Sequence, residues 1–323
     1  MPTQGDHRLM ILTPDTLLFI AAMLAAGALA GFVAGLFGIG GGFVVVPALA
    51  SVLTLLSAGG DAIASDKIMH VAIGTSLATI IFTSLRSVQA HAKRGAVDFE
   101  ILKSWTPWVV TGVVLGLFVA QYLDGHALKL TFGVGVFIMA WHFLFPVLTH
   151  RGPVANEMPK GFMRGGLGSV LGGYCTLLGI GGGTPAVLIM TLSGQPMHRA
   201  VATAAGFGTI IAVPGTIGSI IAGLGQSGLP FGSLGYVNII AAVAITSMSM
   251  ITAPWGVAAA HSLNAVHLRR ALGLYLLVTS SIMLVSALSP PSRTAPLLAD
   301  PVPAVTTINA DISLSNQEED HGI

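Results

Sequence analysis

Charge is scarce in this chain. Only 8% of its 323 residues are Asp, Glu, Lys or Arg, whereas ordinary soluble domains carry about 25%. Hydrophobic residues make up 53%, and the mean hydropathy is +0.83. That balance excludes a soluble globular domain and reads as an all-α polytopic membrane protein. Basic patches suited to nucleic acid are absent, and a formal net charge of +1 names no partner. The single cysteine, Cys175, excludes an internal disulfide, a multi-cysteine zinc site and a two-thiol relay within one chain, and reads as a small packing residue. Paired mid-span carboxylates, a His-Glu-x-x-His and a nucleophile-elbow sequence are all missing. No enzyme, metal site or cofactor is expected.

What is present is apolar length. Segments at about 16–37, 43–58, 68–90, 101–123 and 128–148 form one set of five. A polar stretch follows, then a second set at about 165–178, 184–193, 200–224, 234–260 and 271–288. The small residues of "AGALA" near the start suggest a cleavage point, yet the apolar run continues to Phe37 and into a motif that the second half repeats. It therefore reads as a membrane segment. The division expected is a tail at 1–15, a membrane repeat at 16–148, a cytoplasmic linker at 149–164, a second repeat at 165–288 and a solvated Pro- and Ser-rich tail at 289–323.

The two sets match in order. "GIGGG" aligns Gly38 with Gly179, "AIGTS" at 72–76 aligns with "AVATA" at 200–204, Gly116 aligns with Gly256, and Lys129 with Arg269. Ten of the 14 basic residues fall at segment ends that one threading places in the cytoplasm, among them Arg94, Lys160, Arg199 and Arg270. Both chain ends are then outside. Five segments per half make the second repeat inverted relative to the first.

Two glycine clusters interrupt these apolar runs. Gly40, Gly41 and Gly42 in "GLFGIGGGFVVVPAL", and Gly181, Gly182 and Gly183 in "LLGIGGGTPAVLIM", should each break a helix, since a helical glycine costs roughly 1 kcal/mol relative to alanine. The segments that follow are shorter than the roughly 20 residues of an easy crossing, so they read as half-helices that re-enter. In inverted-repeat transporters such breaks meet near the midplane and line a site. A helix starting after a break points free N–H groups at an anion, and Thr184 with Pro185 suits such a start as cap and first turn. All 13 acidic residues lie in tails or near segment ends, which favours an anionic cargo over a cation. Neutral donors at matching places are Thr75, Ser76 and Thr203, and Arg86 is an accessory charge inside an apolar segment. By contrast Gly27, Gly31 and Gly35 keep the four-residue spacing of helix packing.

At these motifs, together with "HVAIGTSLATI", "RGAVDF" and "HRAVATAAGF", the chain resembles the sulfite exporter TauE/SafE family of bacterial membrane transporters over about 16–288. The resemblance implies inner-membrane movement of sulfite, thiosulfate or organosulfonates such as sulfoacetate. It also implies a cargo site at Gly38 to Gly42 and Gly179 to Thr184. Related thiosulfate importers use several cysteines, a pattern this chain lacks. The expected function is secondary transport by alternating access, with a passive anion channel as the alternative. The expected partners are a small anion and membrane lipid. Homo-oligomerisation and a coupling proton or sodium ion are left open by the sequence.

Overall fold

The computed structural model describes residues 14–37, 40–58, 63–145, 157–262 and 265–288, all within one unit that ends at Leu288. Every apolar segment of the sequence contains a helix, although the one expected from about 234 begins its helix only at Ile239. In chain order they are α1 (Pro14–Phe37), α2 (Gly42–Ala58), α3 (Ile68–Ala92), α4 (Phe99–Tyr122), α5 (Gly125–Leu144), α6 (Gly161–Leu178), α7 (Gly183–Leu192), α8 (Met197–Gly223), α9 (Ile239–Ser262) and α10 (Ala265–Leu288). A two-stranded antiparallel ribbon, β1 (Ser233–Leu234) and β2 (Val237–Asn238), joins α8 to α9.

Polar caps place several helix starts ahead of the hydropathic boundary. Asp98 Oδ1 accepts the N–H groups of Glu100 and Ile101, so α4 opens at Phe99 instead of about 101. Asp124 Oδ1 likewise accepts from Ala127 and opens α5 at Gly125. Among the described residues, seven helices are long and apolar enough to cross a membrane, whereas α2 and α7 are short apolar helices of 17 and 10 residues. The exposed faces of the long helices carry large apolar side chains such as Leu115, Phe118, Trp141 and Ile282, as lipid contact requires.

Helix neighbours follow from close backbone approaches. A Cβ on Gly27 would lie 2.6 Å from Ile245 O, Gly31 faces Ser249 and Thr252, and Gly256 faces Phe32 and Leu36. Rising numbers meet rising numbers, so α1 and α9 run parallel. The packing role expected for Gly27 and Gly31 is what they perform. Gly112 against Ser169, and Gly116 against Gly173, show that α4 and α6 also run parallel.

The remaining long pairs run the other way. Gly74 packs on Ser219 while Ser84 Oγ and Thr209 Oγ1 share a hydrogen bond at 2.9 Å, which makes α3 and α8 antiparallel. His126 Nε2 lies 2.6 Å from Ala287 O and Gly273 packs on Leu144, so α5 and α10 are antiparallel too. At the centre is α3, with 72% of its apolar stretch buried against 33% for α1. Trp105, Phe43, Phe132 and Phe207 are among the largest fully buried side chains around it.

Candidate functional site

The second glycine break is a double reversal. Gly179 adopts a left-handed conformation (φ 64°) and ends α6, where its N–H donates to Thr176 O and that of Ile180 to Cys175 O. Gly182 is left-handed as well (φ 73°), a region that side-chain-bearing residues rarely adopt. A Cβ there would lie 3.8 Å from the Sγ of Cys175, so the lone, fully buried cysteine packs against the break.

Thr184 is not the cap that its sequence position suggested. The bond from Ala186 N–H to Gly182 O begins the helix at Gly183, so Gly182 is the cap and Thr184 already sits in the first turn. There its side chain is only 6% exposed, and its Oγ1 has no hydrogen-bond partner. A buried hydroxyl left unpaired costs about 1–3 kcal/mol, and such groups are rare.

The first break reverses at Gly40 (φ 74°), after which Gly41 O accepts the N–H groups of Val44 and Val45 to start α2. Gly38 lies outside the described residues. The two breaks meet: a Cβ on Gly42 would lie 2.6 Å from Gly179 O and 3.1 Å from Ile180 Cα. Ser76 Oγ donates to the same Gly179 O at 2.8 Å, and Gly181 packs against Ile80 and Gly208. The structure therefore brings Gly41, Gly42, Ser76, Gly179, Gly181, Gly182, Gly183 and Thr184 into one buried region.

Thr75 and Thr203 are elsewhere, and they are matched. Thr75 Oγ1 accepts the N–H of Asn238 at 2.9 Å, and Thr203 Oγ1 accepts the N–H of Asp98 at 2.9 Å. Asn238 and Asp98 themselves cap α9 and α4, through Ala241 N–H in one case and Glu100 and Ile101 in the other. Each threonine fastens the start of a helix in the opposite half of the chain. Arg86 lies on an exposed face of α3, away from the breaks.

Both short helices return to the face they came from. Lys160 and Arg164 at the start of α6 line one cavity with Gln195, which follows α7. Thus α6, the break and α7 form a hairpin. On the opposite face, Ala64 N–H donates to Gly228 O, so the chain after α2 reaches the turn before α9, the parallel neighbour of α1. Sequence reasoning missed this cavity, which draws on three separate stretches of chain, and it missed the ion pair between Arg199 and Asp98 at 2.9 Å. The spacing of 101 residues between those partners gives no local signal.

The profile of the sulfite exporter TauE/SafE family matches residues 23–283. A "probable membrane transporter protein" of Haemophilus influenzae is 32% identical over 263 residues, covering 81% of this chain and 97% of its own length. A protein of the same description from Methanocaldococcus jannaschii is 26% identical, covering 84% and 97%. Another, YunE of Bacillus subtilis, is 28% identical, covering 62% and 78%. No solved structure matches the chain. With the family profile spanning both glycine breaks and all seven long apolar helices but the first residues of α1 and the last of α10, the chain belongs to the sulfite exporter TauE/SafE family and is a multi-pass membrane transporter.

Proposed function

We propose that the protein carries small sulfur oxyanions, of the sulfite, thiosulfate or sulfonate type, by alternating exposure of a site where its two glycine breaks meet. One observation carries the reading. The start of α7 offers the free N–H groups of Gly183 and Thr184 together with the unpaired, buried Thr184 hydroxyl. Helix N-termini of this kind attract anions through their N–H groups and dipole. The donors are neutral, so they can hold an anion without binding it too tightly for release.

The arrangement also supports two inverted repeats, 16–148 and 165–288. Equivalent helices pair antiparallel, α3 with α8 and α5 with α10, while α1 with α9 and α4 with α6 exchange places between the halves. The matched threonine latches follow the same exchange. Rocking one repeat against the other moves the α1–α2 hairpin past the α6–α7 hairpin and opens the site to one face at a time. Every residue at 41–47 and 179–186 is buried, which fits an occluded carrier better than an open pore. By the positive-inside rule the end bearing Arg94, Lys160, Arg199 and Arg270 faces the cytoplasm of the inner membrane.

Proteoliposomes loaded with sulfite, sulfoacetate, sulfate or an organic cation test the reading. Saturable, competing flux of the sulfur anions is expected. Flux of the cation with none of the anions would overturn it.

A further inference from the structure

At the basic end of the bundle lies a cavity of about 430 Å³, within the range of small-molecule sites. It is lined by Asp98 and Glu100 at the start of α4, Glu157 and Lys160 before α6, Arg164 in the first turns of α6, and Gln195 after α7. Its charges are unequally used. Asp98 pairs with Arg199 at 2.9 Å and also caps α4, so both its oxygens are occupied. Glu157 pairs with Lys160 at 2.6 Å, and that bond holds the Glu157 carboxyl below the usual carboxylate range. Glu100 is exposed to solvent, which screens it.

Arg164 is the exception. Its Nε is buried with no hydrogen-bond partner, and among the described residues it makes no ion pair. One turn earlier, Lys160 caps α6 without any side-chain hydrogen bond, so no side chain of the cap satisfies the first-turn N–H groups. A guanidinium needs a partner with two oxygens on one atom to satisfy its fork.

We propose that this cavity is a second oxyanion site, where a small anion with an O–S–O or O–C–O edge docks on Arg164, with the Gln195 amide beside it. It is separate from the glycine breaks. The ten residues of α7 put about 15 Å between the two, so α7 has the break at one end and the docking site at the other. Cargo then waits on Arg164 on its way to or from the break. The inference rests on the anion reading above, and its test is arranged so that the two fail separately.

The experiment is calorimetric titration of sulfite into the purified full-length protein under anaerobic conditions. Two sites are expected in the wild-type protein. Arg164→Gln should weaken one of them at least about ten-fold, and Arg164→Lys, which keeps the charge but loses the fork, should weaken it less. Lys103→Gln removes a nearby charge that does not line the cavity, and should leave both sites unchanged. Thr184→Val should weaken only the other site. A single wild-type site that Arg164→Gln leaves untouched overturns the docking site while leaving the glycine-break reading in place. An effect of Arg164→Gln with none of Thr184→Val does the reverse.

Discussion

Ser76 donates its hydroxyl to the carbonyl oxygen of Gly179 at 2.8 Å, tying the central helix α3 to the break that ends α6. Both residues are buried, so the bond has no water to replace it. Ser76→Ala leaves the carbonyl with no hydroxyl donor and should cost about 1–3 kcal/mol. Thermal unfolding of the purified variant measures this. An unchanged melting temperature would mean that the bond does not hold the break.

Gly42 and Gly40 separate crowding from strain. A Cβ on Gly42 meets the backbone of Gly179 and Ile180, which cannot swing aside, so Gly42→Ala should push the breaks apart and abolish flux. Nothing lies within 4 Å of a Cβ on Gly40, whose positive φ alone opposes a side chain, at about 1–2 kcal/mol. Gly40→Ala should keep measurable flux. Equal loss in both would show that strain, not the meeting of the breaks, is what matters.

These positions show what the sequence does and does not reveal. Helix existence was legible because each segment is a continuous apolar run, and the break was legible because three glycines in a row do not follow the four-residue spacing of helix packing. Ends moved where a single polar cap, Asp98 or Asp124, outweighed the hydropathy around it. The roles of Thr75 and Thr203 were not legible. Their pairing in sequence was visible, but each accepts a bond from a residue more than 100 positions away, and only the folded chain shows that. Thr184 was correctly assigned to the break and wrongly to the cap, since Gly182 can take a left-handed turn that starts the helix two residues sooner.

The matched latches predict matched costs. Thr75→Val and Thr203→Val each strip a partner from a buried or half-buried N–H, and each should destabilise by about 1–3 kcal/mol. They fasten different helices and share no partner, so the double variant should show the sum within about 0.5 kcal/mol. Strong non-additivity in unfolding would contradict two separate latches.

The hairpin geometry predicts labelling. In a Cys175→Ser background, cysteines at Lys160 and Gln195 should react from one side of the membrane, and a cysteine at Lys67 from the other. Serine is close to cysteine in size at this fully buried position, so this background should retain most transport. Labelling of positions 160 and 195 from opposite sides would mean that α7 crosses.

Thr184→Val tests the central claim most directly, because it separates binding from folding in one variant. The Thr184 hydroxyl is buried and unpaired, so replacing it with a methyl should leave thermal stability unchanged or raise it. If that hydroxyl serves the anion, sulfite affinity should fall by about 0.5–1.5 kcal/mol, or up to about 3 with a charged acceptor, and flux should fall with it. Binding and flux measured together on wild-type and Thr184→Val protein of equal stability decide the matter. Weakened sulfite binding in a fully stable protein is the result this account predicts; unchanged affinity and unchanged flux would contradict it.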